Sequence, residues 1–199
     1  MNLPNKLTVL RIILTPIFML TLVWEFPFHY LVSLLIFIAA SITDLLDGKI
    51  ARSRGLVTDF GKFLDPLADK MLTTAAFLGF IALGIGHGAV WIAFIVLFRE
   101  FMVSSIRLIA STSGGKVIAA NIWGKLKTVF QMTAIIFALT AKQFTEILAL
   151  VGVREDMVAV FSTVLGIATS VLLWISAVLC VISGVIYLLD NKDFVSQTK

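Results

Sequence analysis

Residues 30–69 read YLVSLLIFIAASITDLLDGKIARSRGLVTDFGKFLDPLAD. From Tyr30 to Thr43 the run carries no charge, and then two close pairs of aspartates follow, Asp44 with Asp47 and Asp65 with Asp69. Asp44 and Asp47 are three apart and Asp65 and Asp69 four apart, so each pair shares one face of a helix. The short link between the two segments predicts adjacent antiparallel helices with all four carboxylates at one end. An ionisable residue at membrane depth is costly and faces a partner or a water-filled cavity. The stretch therefore reads as two membrane helices that meet at a polar site on one membrane face.

The rest of the chain has the same character. Of 199 residues, 59% are hydrophobic and 14% charged, where soluble domains run near one half and one quarter. Mean hydropathy is +1.03. Intrinsic disorder is excluded, and a soluble globule lacks the polar residues to cover its surface. A spanning helix takes roughly 20 apolar residues, and six apolar stretches fit: about 10–24, 30–47, 67–85, 89–111, 126–149 and 158–189. Pro27, the Gly84, Gly86 and Gly88 group, Gly114-Gly115 and Gly152 punctuate them. No internal repeat or low-complexity tract is visible. The expectation is an all-α polytopic membrane protein with six transmembrane helices, in a single domain over residues 1–199.

Basic residues orient it. Lys6 and Arg11 precede the first span, Lys49, Arg52, Arg54 and Lys62 lie between the second and third, and Lys116, Lys125 and Lys127 between the fourth and fifth. Lys192 and Lys199 end the chain, and the opposite loops hold almost none beyond Arg154. The positive-inside rule makes both termini and the loops near 50–62 and 112–125 cytoplasmic. Trp24, Trp91 and Trp123 fall at span ends, where aromatic belts form. The net charge of +4 and pI near 9.4 fit basic loops against anionic lipid, with no nucleic-acid partner. The N-terminal stretch lacks an A-x-A-like cleavage site and reads as a retained first helix. With one cysteine, Cys180, and two histidines, His29 and His87, the sequence offers neither a disulfide nor a Cys/His metal cluster.

Four bare carboxylates in one place repel and raise one another's pKa. Hard divalent cations remove the conflict, since oxygen-rich sites suit Mg²⁺, Mn²⁺ or Ca²⁺. Two ions about 4 Å apart are the expected device for phosphoryl displacement. Gly48, Ala51 and Gly61 let a flat or bulky group approach the backbone, and Arg52 offers a forked donor set to diphosphate oxygens. A plainer reading makes the aspartates loop charges or caps, with Asp65 an N-cap before Pro66 at the first helical position. It suits one aspartate better than four.

The pattern Asp44-x2-Asp47-Gly48-x2-Ala51-Arg52-x8-Gly61-x3-Asp65-x3-Asp69 resembles, at every fixed position, the signature of the CDP-alcohol phosphotransferase family. The resemblance implies a six-helix membrane core over essentially the whole chain. It implies a transferase that releases CMP from a CDP-activated lipid and joins phosphatidate to an alcohol. On this likeness Asp44, Asp47, Asp65 and Asp69 hold two metal ions, usually Mg²⁺ with Mn²⁺ an option, and Asp69 is the general base. Gly48, Arg52 and Thr58 line the CDP group, and Asn5 and Thr8 resemble an N-x2-T that reaches the nucleotide. A homodimer is likewise implied, with Gly166 and Gly184 of the last span as candidates for its interface.

The donor expected is CDP-diacylglycerol, whose tails stay in the membrane while its head group stays wet. Arg99 and Arg107, eight apart, lie on roughly one helical face, and Lys125 and Lys127 open the fifth span. Such a set of cations calls for an anionic acceptor such as a phosphorylated polyol. Lys125 and Lys127 read equally as positive-inside flanks, and Arg99 equally as a partner of Glu100 or another carboxylate. Arg99-Glu100-Phe101, Arg107 and the stretch Ala120-Asn121-x2-Gly124-Lys125-x-Lys127-Thr128 resemble the phosphatidylglycerophosphate synthase branch, whose acceptor is glycerol 3-phosphate. Inositol phosphate or phosphatidylglycerol are the alternative acceptors, and the glycine-rich loop near 112–119 is a candidate gate. An intramembrane prenyltransferase would carry two separated motifs, and a divalent-cation transporter would hold polar residues at mid-membrane. The location expected is a bacterial plasma membrane, with the active site facing the cytoplasm.

Overall fold

The computed structural model describes residues 2–54, 59–112 and 122–190, with their side chains except at 45, 47–54, 59–63, 65, 66, 69 and 108–112. Among the described residues all regular structure is helical. The helices are α1 (Leu3–Val23), α2 (His29–Arg54), α3 (Asp59–Ala82), α4 (Ala89–Thr112), α5 (Ile122–Leu150) and α6 (Glu155–Asp190). Each apolar stretch coincides with one helix, but the helices run on past the apolar residues at their charged ends. Hydropathy reports what solvent a residue prefers, whereas an established helix gains a backbone hydrogen bond with each residue added. α1 begins well before its apolar run, capped by Asn2, whose side chain accepts from the Asn5 N–H at 3.1 Å, with Pro4 in the first turn. α3 begins at Asp59 and runs through Pro66, so Asp65 is interior to the helix and the N-cap reading of Asp65-Pro66 is overturned.

Among the described residues four stretches are long and apolar enough to cross a membrane: Leu3–Val23, Ala89–Arg107, Ile122–Leu150 and Glu155–Asp190. α2 and α3 contribute the shorter apolar segments His29–Asp44 and Lys70–Ala82. Large apolar side chains face outward along these helices, including Phe94, Phe98 and Phe101 of α4 and Val164, Val171 and Val178 of α6. So extensive an exposed apolar surface belongs against lipid. The chain is a helical membrane protein.

α1 packs against both α2 and α3, α5 packs along α6, and α4 closes against α6 and α3. Among the described residues α2 and α3 touch only marginally, so the pair expected to be adjacent has α1 packed against both members. The reason lies in side-chain volume. Ala75, Ala76 and Gly79 make a shallow face on α3, and a Cβ on Gly79 would collide with the Leu22 side chain of α1. Phe18 of α1 and Phe37 of α2 meet in the core with ring centroids 5.5 Å apart, beside Phe77, Phe80, Ile135, Leu139 and Leu173.

The end of the bundle away from Asp44 also carries polar residues. Gln143 and Glu146 of α5 cap α2 there: Gln143 Oε1 accepts from the Leu31 N–H at 2.7 Å, and Glu146 Oε1 from the Phe28 N–H at 3.0 Å. The first N–H groups of a helix have no partner within it, and α5 supplies one from a distant part of the chain.

Candidate active site

α1 carries a polar stripe through its first half. Asn5, Thr8, Arg11 and Thr15 recur at helical spacing on one face, all are buried, and Phe18 and Leu22 continue that face into the core. Thr8 and Thr15 donate their hydroxyls to the carbonyls one turn back, Pro4 and Arg11 respectively. Arg11 is only 2% exposed. A guanidinium cannot give up its charge, so at this depth it needs a carboxylate. It has one: Arg11 forms an ion pair with Asp44 of α2. Arg11 had been expected to be a basic flank before the first span, but it is an interior residue of the site. The signal was present in the sequence as a single cation inside LTVLRIILTP.

Around this pair the helices enclose a cavity of about 190 Å³. α1 contributes Arg11; α2 contributes Ser41 and Asp44; α3 contributes Lys70 and Thr73. α4 contributes Arg99, Glu100 and Arg107; α5 contributes Gly124, Lys127 and Gln131; α6 contributes Ser183 and Tyr187. Every helix takes part, each with at least one polar side chain at this end. Among these side chains, five cations (Arg11, Lys70, Arg99, Arg107 and Lys127) face two carboxylates (Asp44 and Glu100). The described wall of the cavity is therefore electropositive and suited to anions.

Glu100 organises the far wall. Its Oε1 accepts from Arg99 Nη1 at 3.0 Å and also takes the Lys127 ammonium as an ion pair, so one carboxylate serves two cations from α4 and α5. Arg99 is held from two further sides. A Cβ on Gly184 of α6 would lie 3.1 Å from Arg99 Cγ, and one on Gly124 of α5 would lie 3.6 Å from Nη2. Gly184 is thus committed to a contact within the chain, where it had been a candidate for an interface between copies; Gly166 has open space beside it. Arg107 stands differently. Its guanidinium carbon lies 5.6 Å from the centroid of the Tyr187 ring, a cation–π distance, and it has no carboxylate within ion-pair reach among the described residues.

The predicted residues divide accordingly. Asp44, Arg99, Arg107 and Lys127 come together at the cavity. Lys125 is exposed and outside its lining, while Lys127 is 6% exposed. Residues two apart on a helix point in directions about 200° apart, so one cavity cannot take both. Asn5 and Thr8 are buried on the Arg11 face of α1, nearer its start, and do not line the cavity. Asp47, Gly48, Arg52, Asp65 and Asp69 lie on the helical backbones of α2 and α3, their side chains outside the described residues, as are Thr58 and the loop near 113–121. Lys70, next to Asp69, lines the cavity. Ser41, Lys70, Gln131, Ser183 and Tyr187 were not anticipated. Lone polar residues in apolar runs were the signal for Ser41, Gln131, Ser183 and Tyr187, and the position next to Asp69 was that for Lys70.

Comparison with known proteins bears on this geometry. Residues 1–188 match the family model described as CDP-alcohol phosphatidyltransferase. The CDP-diacylglycerol--glycerol-3-phosphate 3-phosphatidyltransferase of Bacillus subtilis is 42% identical over 146 residues, 67% of this chain and 74% of its own length. The probable phosphatidylglycerophosphate synthase of Mycobacterium tuberculosis is 42% identical over 137 residues, 67% of this chain and 64% of the relative. The Rickettsia bellii protein with the same name as the Bacillus one is 34% identical over 193 residues, 97% of both chains. The family match extends from the polar stripe of α1 through Tyr187 of α6, and so takes in every helix that walls the cavity. With its aspartate-bearing α2 and α3 and its electropositive cavity, the chain belongs to the CDP-alcohol phosphatidyltransferase family.

Proposed function

We propose that this chain transfers the phosphatidyl group of CDP-diacylglycerol to glycerol 3-phosphate, giving phosphatidylglycerol phosphate and CMP in phospholipid biosynthesis. The single observation that carries the acceptor is the set of cations from α4 and α5 in one cavity with Asp44: Arg99, Arg107 and Lys127. A small phosphomonoester matches that charge, and a neutral alcohol such as serine or inositol does not. The names of the relatives from Bacillus and Rickettsia point to the same acceptor.

The donor set on the hairpin fits a divalent cation. Asp44 and Asp47 stand one turn apart on α2, and Asp65 and Asp69 one turn apart on α3; hard oxygen ligands in that number suit Mg²⁺ or Mn²⁺. When bound to these four aspartates, two such ions supply charge neutralisation for the diphosphate and stabilise CMP as leaving group. The protein's own residues do the rest. Asn5, Thr8, Gly48, Arg52 and Thr58 hold the CDP group, and Arg11 keeps Asp44 in place from the buried side. Arg107 and Lys127, with Arg99 steadied by Glu100, seat the acceptor phosphate; exposed Lys125 adds positive charge to the approach. Asp69 accepts the proton of the glycerol 3-phosphate hydroxyl as its oxygen bonds to the lipid-side phosphorus and the bond to CMP breaks.

The helices cross the membrane six times, with both termini and the catalytic cavity on the cytoplasmic side of a bacterial plasma membrane. The basic residues of the termini and of the stretches near 50–62 and 112–125 support this orientation. The working unit is a homodimer. Purified protein supplied with CDP-diacylglycerol, Mg²⁺ and a panel of acceptors tests the reading through CMP release. Release with glycerol 3-phosphate is expected; release only with inositol phosphate or phosphatidylglycerol would reassign the acceptor, and metal flux without CMP would reassign the class.

A further inference from the structure

A second polar cavity, of about 290 Å³, lies at the other end of the bundle, between the α3–α4 turn, α5 and α6. Its distance from the first is set by α5, on which Lys142 stands about 22 Å along the helix axis from Lys127. Lys142, His87, Thr145, Ser162 and Thr163 are among its walls. Lys142 is half-buried and, among the described residues, has no carboxylate within ion-pair distance. Glu146, one turn further on, is turned to the Phe28 N–H instead. A half-buried cation that lines a cavity with no carboxylate in reach among the described residues suits an anion there.

His87 is held in place by its backbone alone. Gly86 and Gly88, with φ of +85° and +73°, carry the chain through the turn on either side of it. Ser170 Oγ accepts from the His87 N–H at 3.0 Å, and Trp174 Nε1 donates to the His87 carbonyl at 3.0 Å. α6 thus holds the peptide groups on both sides of His87, while the imidazole is exposed and lines the cavity without a hydrogen-bond partner among the described residues. His87, Ile167 and Ser170 also border a neighbouring groove of about 440 Å³, whose remaining walls are apolar: Val171, Trp174, Ile175, Val178 and Leu179. Val171 and Val178 are more than half exposed, on a surface that faces lipid.

A cationic and hydroxyl-lined cavity that opens directly onto an apolar groove has the form of an amphiphile. We infer that this end of the bundle binds an anionic phospholipid. Its phosphate lies between Lys142 and His87, and one acyl chain lies along the α6 groove. The site is distinct from the cavity at Asp44 and does not depend on the catalytic reading.

Native mass spectrometry of the detergent-purified chain tests it, using dioleoyl phosphatidylglycerol, dioleoyl phosphatidylcholine and the chain-free head group glycerophosphoglycerol. The phosphatidylglycerol adduct is expected to bind about tenfold more tightly than the phosphatidylcholine one, as a charge-assisted contact predicts, and the head group alone is expected not to be retained. Lys142→Met should remove the preference and Lys142→Arg keep it. Val171→Trp, which fills the groove, should weaken both lipids, and Arg107→Ala should change neither. CMP release at the parent rate by Lys142→Met shows that the variant is folded. Equal retention of the two lipids, an unchanged preference in Lys142→Met, or loss in Arg107→Ala would overturn the site. A shift in the monomer–dimer ratio of Val171→Trp with lipid retention intact would assign the groove to a second copy instead.

Discussion

Arg11 of α1 and Asp44 of α2 form an ion pair at the inner wall of the cavity, with Arg11 2% and Asp44 39% exposed by side chain. The asymmetry gives the two ends of the pair different consequences. Asp44 keeps contact with solvent, whereas Arg11 depends on the protein for its counter-charge. Replacing Arg11 by Met removes a buried cation from beside an aspartate that water still reaches. The expected loss is about 1–3 kcal/mol of stability, below the range for a fully buried pair, together with a marked fall in turnover. Thermal unfolding in detergent and CMP release measure the two.

Glu100 is shared by Arg99 and Lys127, and Glu100→Gln leaves two neighbouring cations without their carboxylate. The variant should be less stable by about 2–4 kcal/mol, as when one member of a buried charge network is removed. Added glycerol 3-phosphate should restore more stability to it than to the parent protein, because the acceptor phosphate replaces the missing charge. Unfolding curves with and without the acceptor make the comparison; equal gains in the two proteins would separate Glu100 from the acceptor pocket.

Lys127 is buried at the cavity and Lys125 exposed beyond it. Lys127→Ala should raise the KM for glycerol 3-phosphate by about 10–100-fold, the weight of a charge-assisted contact, and Lys125→Ala by no more than about threefold. Raised ionic strength should narrow the smaller effect and leave the larger one, since only the exposed charge is well screened. Steady-state kinetics at two salt concentrations reads both.

Gly184 lies where a Cβ would come within 3.1 Å of Arg99 Cγ and 3.3 Å of Met102 Cε. Gly184→Val should displace Arg99 and raise the acceptor KM with little change in the affinity for CDP-diacylglycerol. Gly166→Val, with open space beside it, should leave both constants near those of the parent.

Asp69→Asn should abolish CMP release and retain binding of CDP-diacylglycerol, since the amide cannot take the acceptor proton but fills the same volume. Chelation of divalent ions should abolish release in the parent protein, and Mg²⁺ or Mn²⁺ should restore it. Turnover near the parent rate in Asp69→Asn would remove Asp69 from the role of base.

Six helices, with the acidic residues on the second and third, were legible in the order of the residues, because helical periodicity and long apolar runs are properties of a segment and its solvent. The pairing of Asp44 with Asp47 and of Asp65 with Asp69 follows from spacing alone. Packing decided the rest. Which cation meets which carboxylate depends on how side-chain volumes fit between helices far apart in the chain: Leu22 over Gly79 brings α1 onto α3, and Arg99 lies across Gly184. Arg11 therefore reads as a flanking charge by position and is an interior one by contact. Lys125 and Lys127 look alike in sequence and differ in place, since a helix turns one inward as it turns the other out.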